Sequence, residues 1–147
     1  MASDTIQHSA ELILRLYELR RDPELRAARQ WFAREFRPSS AQDILSLILS
    51  GERASASYRM VTSYWEMAAA MVNRGAIDPE LFRESNGEHV GFFSIIEPFL
   101  EEFRALTKET AYLVQWEKLV RDTPGAAERL ESRRRLFSAW TTAPVPA

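Results

Sequence analysis

Apolar side chains recur along this chain at three- and four-residue spacing, and the breaks between runs carry helix-cap residues rather than hairpin turns. From about Asp4 to Arg21, Ile6, Ala10, Ile13 and Tyr17 make a stripe that Leu12, Leu16 and Leu19 widen. Asp22-Pro23 then starts a second helix, with an aspartate to accept the first free N–H groups and a proline where its own missing N–H is harmless. That helix is expected to reach about Phe36, with Leu25, Ala28, Phe32 and Phe36 inward. Ser40 and Asp43 form a capping box ahead of a short helix ending near Gly51. Its Ile44, Leu45, Leu47, Ile48 and Leu49 cover most of its circumference, which predicts burial.

The next segment, about 52–74, carries two apolar stripes. Ala54, Tyr58, Val61, Trp65, Ala68 and Val72 make one; Met60, Tyr64, Met67 and Met71 make the other. A helix apolar on two sides belongs at the centre of a bundle. Asp78-Pro79-Glu80 repeats the proline-led start, and Ser85 with Glu88 reads as a second capping box. A long helix follows over about 88–106, with Phe92, Ile96, Phe99, Phe103 and Leu106 on one face. Pro98 inside it predicts a kink or a break at Glu97. Further helices are expected over about 109–121, and from Thr123-Pro124 through Leu130, Leu136, Phe137 and Trp140. The tetrapeptide Asp-Pro-Glu-Leu stands at 22–25 and again at 78–81, but its surroundings differ, so it is a reused helix start and not a duplication.

Composition removes whole classes of chemistry. There is no cysteine among the 147 residues, so disulfides, thiolate catalysis and Cys-ligated metals are out. With 19 basic and 21 acidic side chains the net charge is −2, which gives no pull toward nucleic acid. The start lacks a signal-peptide pattern and no apolar run is long enough for a membrane span, so a cytoplasmic protein with no membrane partner is expected. Neither His8 nor His89 stands three residues after a glutamate, as a di-iron bundle needs. A zinc site from Glu84, Glu88 and His89 is conceivable, but no spacing rule supports it, and no metal or other cofactor is expected. No glycine-flanked nucleophile and no phosphate-binding loop occurs. Arg133, Arg134 and Arg135, with Arg121 and Arg129 near, form the strongest basic patch, which could meet a phosphate or an acidic partner but reads first as a solvated terminal helix.

What remains is a narrow polar strip on the helix over 52–74. Arg59, Ser63, Glu66 and Asn73 share a small angular range between the two apolar stripes. The strip either faces solvent or, if that helix is central, faces inward and needs partners for its charges. Tyr64, Trp65 and the methionines could then wall a small-ligand pocket. Glu66, Glu88 and His89 are the only acid–base groups an enzyme could use here.

Three stretches carry a resemblance: Tyr64-Trp65-Glu66-Met67-Ala68-Ala69, Val72-Asn73-Arg74-Gly75-Ala76-Ile77-Asp78, and Phe82-Arg83-Glu84-Ser85-Asn86-Gly87-Glu88-His89. Through them the chain resembles a bacterial family of small proteins of unknown function, from Arg21-Asp22-Pro23-Glu24-Leu25 to about Val120. The resemblance implies an all-helical fold and a bacterial source, and it brings no activity.

The expected architecture is all-α: a compact bundle of about six or seven helices, with those over about 52–74 and 88–106 at its centre. One domain is expected over 1–140, with a flexible tail over 141–147. The function is unknown. The favoured expectation is a non-enzymatic interaction module that self-associates as a homo-oligomer, because large apolar side chains exceed what one core needs. The alternative is a small-molecule sensor or carrier with a pocket beside helix 52–74. Candidate ligand-binding residues are Arg59, Ser63, Tyr64, Glu66, Asn73, Glu88 and His89.

Overall fold

The computed structural model describes residues 2–142. Among them nine α-helices follow in order: α1 (Ala2–Arg20), α2 (Pro23–Arg34), α3 (Ala41–Leu49), α4 (Arg53–Asn73), α5 (Pro79–Ser85), α6 (Glu88–Ile96), α7 (Leu100–Thr107), α8 (Val114–Arg121) and α9 (Ala126–Thr142). No strand occurs among the described residues. The last helix runs two residues into the expected tail, whose remainder, 143–147, lies outside the described residues. No described helix is long and apolar enough to cross a membrane.

The start signals act as local chemistry predicts. The Asp22 carboxylate accepts from the Glu24 and Leu25 amides, and Asp78 accepts from Leu81. Ser40 accepts from the Asp43 amide, while Asp43 returns to Ser39 rather than to Ser40. The box expected between Ser85 and Glu88 does not form. Ser85 turns back to the Leu81 carbonyl, and α6 begins at Gly87 with no side chain capping it.

Helix α4 is central, packed between α2 and α8 with α3 across one end. Its Tyr58, Val61, Trp65, Ala68 and Val72 are buried. Helix α6 is the second centre, and every residue from His89 to Ile96 is buried against α8 and α9. The helix expected over 88–106, with a kink or a break at Glu97, does break there. Glu97–Phe99 form a single 3-10 turn, because proline has no N–H to continue the ladder, and α7 starts afresh.

Three expectations are corrected. The helix over 109–121 begins only at Val114, since Lys108 and Leu113 both take left-handed backbone angles. The buried Arg104 guanidinium holds the Tyr112 carbonyl at 2.7 and 3.0 Å and fixes that bend. Helix α3 is not enclosed: only Ala41 and Ile44 are buried, and Leu49 is 74% exposed. Helix α1 turns Ser9 and Leu16 inward, with Leu12 and Ile13 half-buried, while Ile6, Leu14, Tyr17 and Leu19 are exposed. It lies at the edge of the bundle, covered on one side by α5 and α2.

Two arginines tie distant elements through backbone carbonyls. Arg37 donates to the Ala33 and Phe36 carbonyls, where α2 ends, and to Phe137 of α9 at 2.8 Å. Arg134 reaches from α9 to Glu97 and to the Ser94 carbonyl.

Candidate functional site

The polar strip of α4 lies partly in solvent and partly against α8. Arg59 and Ser63 face solvent, and the Ser63 hydroxyl donates to the Arg59 carbonyl at 2.6 Å. Glu66 spends both carboxylate oxygens on α8, accepting from the Trp116 amide at 2.7 Å and the Gln115 amide at 3.2 Å. Those amides belong to the first turn of α8, where N–H groups have no partner within the helix. Asn73 completes the clasp by donating to the Gln115 carbonyl and side chain. The strip is thus a seam between α4 and α8 at one end and solvated surface at the other.

Tyr64 and Glu88 do come together, on the other side of α4, about Arg20 and Arg29. Arg29 of α2 grips Glu88 with two hydrogen bonds, 2.8 and 2.6 Å long. Arg20, at the end of α1, adds a third at 3.3 Å and also reaches Asn86. The carboxylate holds the Arg29 pKa above its ordinary value, its hydrogen bonds outweighing the opposing effect of burial. Arg20 lies 5.5 Å above the Trp65 ring. The Tyr64 hydroxyl donates to the Leu16 carbonyl at 2.6 Å, and burial pushes its pKa up to about 12. This cluster fastens α1, α2 and α4 around the head of α6.

His89 lies one residue beyond Glu88 and points the other way, into the core. Its ring stands 5.2 Å from that of Phe82 and 5.5 Å from that of Trp65. Neither ring nitrogen has a hydrogen-bond partner among the described residues. Burial, helped by the charges of Arg83, Arg133, Arg129 and Arg20, lowers its pKa to about 3. The imidazole is therefore neutral at physiological pH and closed to solvent. Glu88 and His89 diverge, and no three of the described His, Asp and Glu side chains, Glu84 included, stand together as a metal-ligand set.

Near these residues an open groove of about 940 Å³ lies between α2 and α9, floored by the start of α6. The α2 wall carries Arg26, Ala27, Gln30, Ala33 and Arg34. The α9 wall carries Arg133, Leu136, Phe137 and Trp140, with Gly87, Glu88 and Phe92 beneath. Four arginines, counting Arg29, thus surround one carboxylate, on a chain whose net charge is −2.

Two glycines shape this groove. A Cβ on Gly87 would stand 2.7 Å from the Arg133 guanidinium, and one on Gly91 would run into the Phe137 ring. Their absent side chains let α9 lie close on α6, which sets Arg133 over the uncapped first turn of α6. Hydrophobic periodicity gives neither glycine a role. The available signal was Gly-x-x-x-Gly on a helix apolar all round, a spacing that puts both glycines on one face.

Residues 5–123 match the family described as a domain of unknown function (DUF4760), and the chain belongs to that family. The match takes in α2 and α6 and ends before α9, so one wall of the groove lies beyond it. No curated protein and no solved structure matches the chain.

Proposed function

We propose that this DUF4760-family chain is a non-enzymatic binding module whose working surface is the groove between α2 and α9. The observation that carries the reading is the pairing of arginines with exposed apolar side chains in one concavity. Arg26 and Arg133 have no carboxylate partner among the described residues, and Leu136 and Trp140 beside them are 53% and 41% exposed. Such a surface suits an acidic occupant that also presents an apolar group. The small-molecule alternative moves with the site, from helix 52–74 to this groove. Against catalysis, each acid–base candidate is engaged elsewhere: Glu66 on α8, Glu88 on two arginines, His89 enclosed by rings. A bacterial, cytoplasmic setting and a homo-oligomeric state belong to the same reading.

The test uses anilinonaphthalene sulfonate, an anionic aromatic dye that fluoresces when its rings leave water. At high dilution the native protein should give a saturable rise in fluorescence. The variant Arg26→Glu/Arg133→Glu should lose it while keeping its helical circular dichroism and melting temperature. Dye binding that survives in this folded variant, or that is absent from the native protein, would sink the reading.

A further inference from the structure

The groove has a complement on the same chain. Helix α1 packs through one side only, and its outer side carries an apolar row of Ile6, Ala10, Leu14 and Tyr17. At 100° per residue these four fall within an arc of about 80°. Ile6, Leu14 and Tyr17 are 42%, 62% and 56% exposed and Ala10 is half-buried, so the described residues leave most of the row uncovered. Beside it runs an acidic row, Asp4, Glu11 and Glu18, at every seventh position. A seven-residue step drifts by only about 20° on a helix, so the three carboxylates stay aligned next to the apolar row. All three are exposed, and none has an ion-pair partner among the described residues. The outer side of α1 is thus an apolar row edged with acid, and the α2–α9 groove is an apolar trough edged with arginine.

Resting on the groove reading above, we propose that α1 of a second copy of this chain fills the groove. Leu14 and Tyr17 would lie against Leu136 and Trp140, and the acidic row would run along Arg26, Arg34 and Arg133. The lengths agree: the acidic row from Asp4 to Glu18 rises about 21 Å, and the twelve-residue α2 about 18 Å. The contact is a helix laid in a groove, with anchors three and four residues apart. Each copy carries both halves, so two copies exchanging α1 fill both grooves and cover both apolar rows in a closed pair. Charge complementarity sets the register of the helix, and the apolar rows provide the driving force.

Sedimentation of the whole chain over a concentration series, with the dye as a second readout, tests this. The native protein is expected to show twice the mass of one chain and to release bound dye as concentration rises. Leu14→Glu/Tyr17→Glu, at two exposed positions, should halve the mass and bind the dye at every concentration. Glu11→Arg/Glu18→Arg and Arg26→Glu/Arg133→Glu should each give one-chain mass, and the two reversals combined in one chain should restore the twofold mass. A native mass of one chain, a twofold mass that survives either reversal, or reversals that fail to compensate overturns the proposal. One-chain mass with dye bound at all concentrations overturns the second copy alone and leaves the groove to another acidic occupant. Dye bound by neither the native protein nor the α1 variant removes the groove reading itself.

Discussion

Helices α6 and α8 both begin near a glutamate, and they end up in opposite states. At α8 the carboxylate comes from another helix: Glu66 of α4 accepts both first-turn amides and closes the end. At α6 the local acid, Glu88, turns away to Arg29 and Arg20, and no side chain caps the first turn. Arg133 lies over that turn instead, at the edge of an open groove. A closed helix start makes a joint, whereas an uncapped start beside unpaired arginines leaves a surface with unused binding capacity. That difference, rather than the polarity of the residues, separates the structural seam from the candidate site.

The sharpest way to break the contrast is to push α9 off α6. Gly91→Val should cost about 3 kcal/mol, since its side chain enters space held by the Phe137 ring and neither helix can yield cheaply. Urea unfolding would measure this, and dye binding would fall with it because one wall of the groove is displaced. A loss below about 1 kcal/mol would mean that α9 is loosely seated and the groove is not a fixed shape.

Acid should loosen the α6 side next. The His89 pKa is about 3 in the folded chain against about 6.5 when unfolded, so the unfolded chain binds the extra proton between those values. Stability is therefore complete above about pH 6.5 and falls as pH drops, with a slope approaching about 1.4 kcal/mol per pH unit. Between pH 6.5 and 5, above the range where most carboxylates titrate, His89→Gln should flatten this slope. An unchanged slope in that variant would show that the ring is not held neutral by its burial.

How much of this could be read from the sequence depends on whether the deciding neighbour is local. The Asp22-Pro23 and Asp78-Pro79 starts were legible because the cap and its amides lie within three residues. The break at Pro98 was legible because a missing N–H is a local fact. The centrality of α4 followed from its two apolar stripes. Which side of α1 is covered was not legible, because Ile6 and Tyr17 are as apolar as Leu12 and Leu16, and periodicity carries no information about the neighbour. The same limit hid the role of Glu66, whose partner amides sit on α8. Of the seven candidate residues, Tyr64 and Glu88 meet, as the fastening behind the groove, while His89 turns into the core. The groove itself depended on Gly87 and Gly91, where the signal is a missing side chain.

On the seam, Glu66→Ala should cost about 2 kcal/mol, because two amides at the start of α8 lose a charged acceptor and no nearby group replaces it. The change should appear in the melting temperature and in faster hydrogen exchange of the Gln115 and Trp116 amides. Dye binding at the groove should stay unchanged. If dye binding fell with stability, joint and surface would be one coupled unit, and the contrast drawn above would fail.

The smallest effect belongs at the other end of the same strip. Arg59 projects into solvent from α4 and has no ion pair among the described residues, so Arg59→Ala removes one exposed charge from a helix surface. Alanine is at least as good a helix former as arginine, so the expected change lies within about 0.5 kcal/mol of zero. Self-association and dye binding should not move either. A pocket beside α4 would require the opposite, loss of binding in a fully folded variant, and this substitution is the cleanest way to look for it because Arg59 holds nothing else in place.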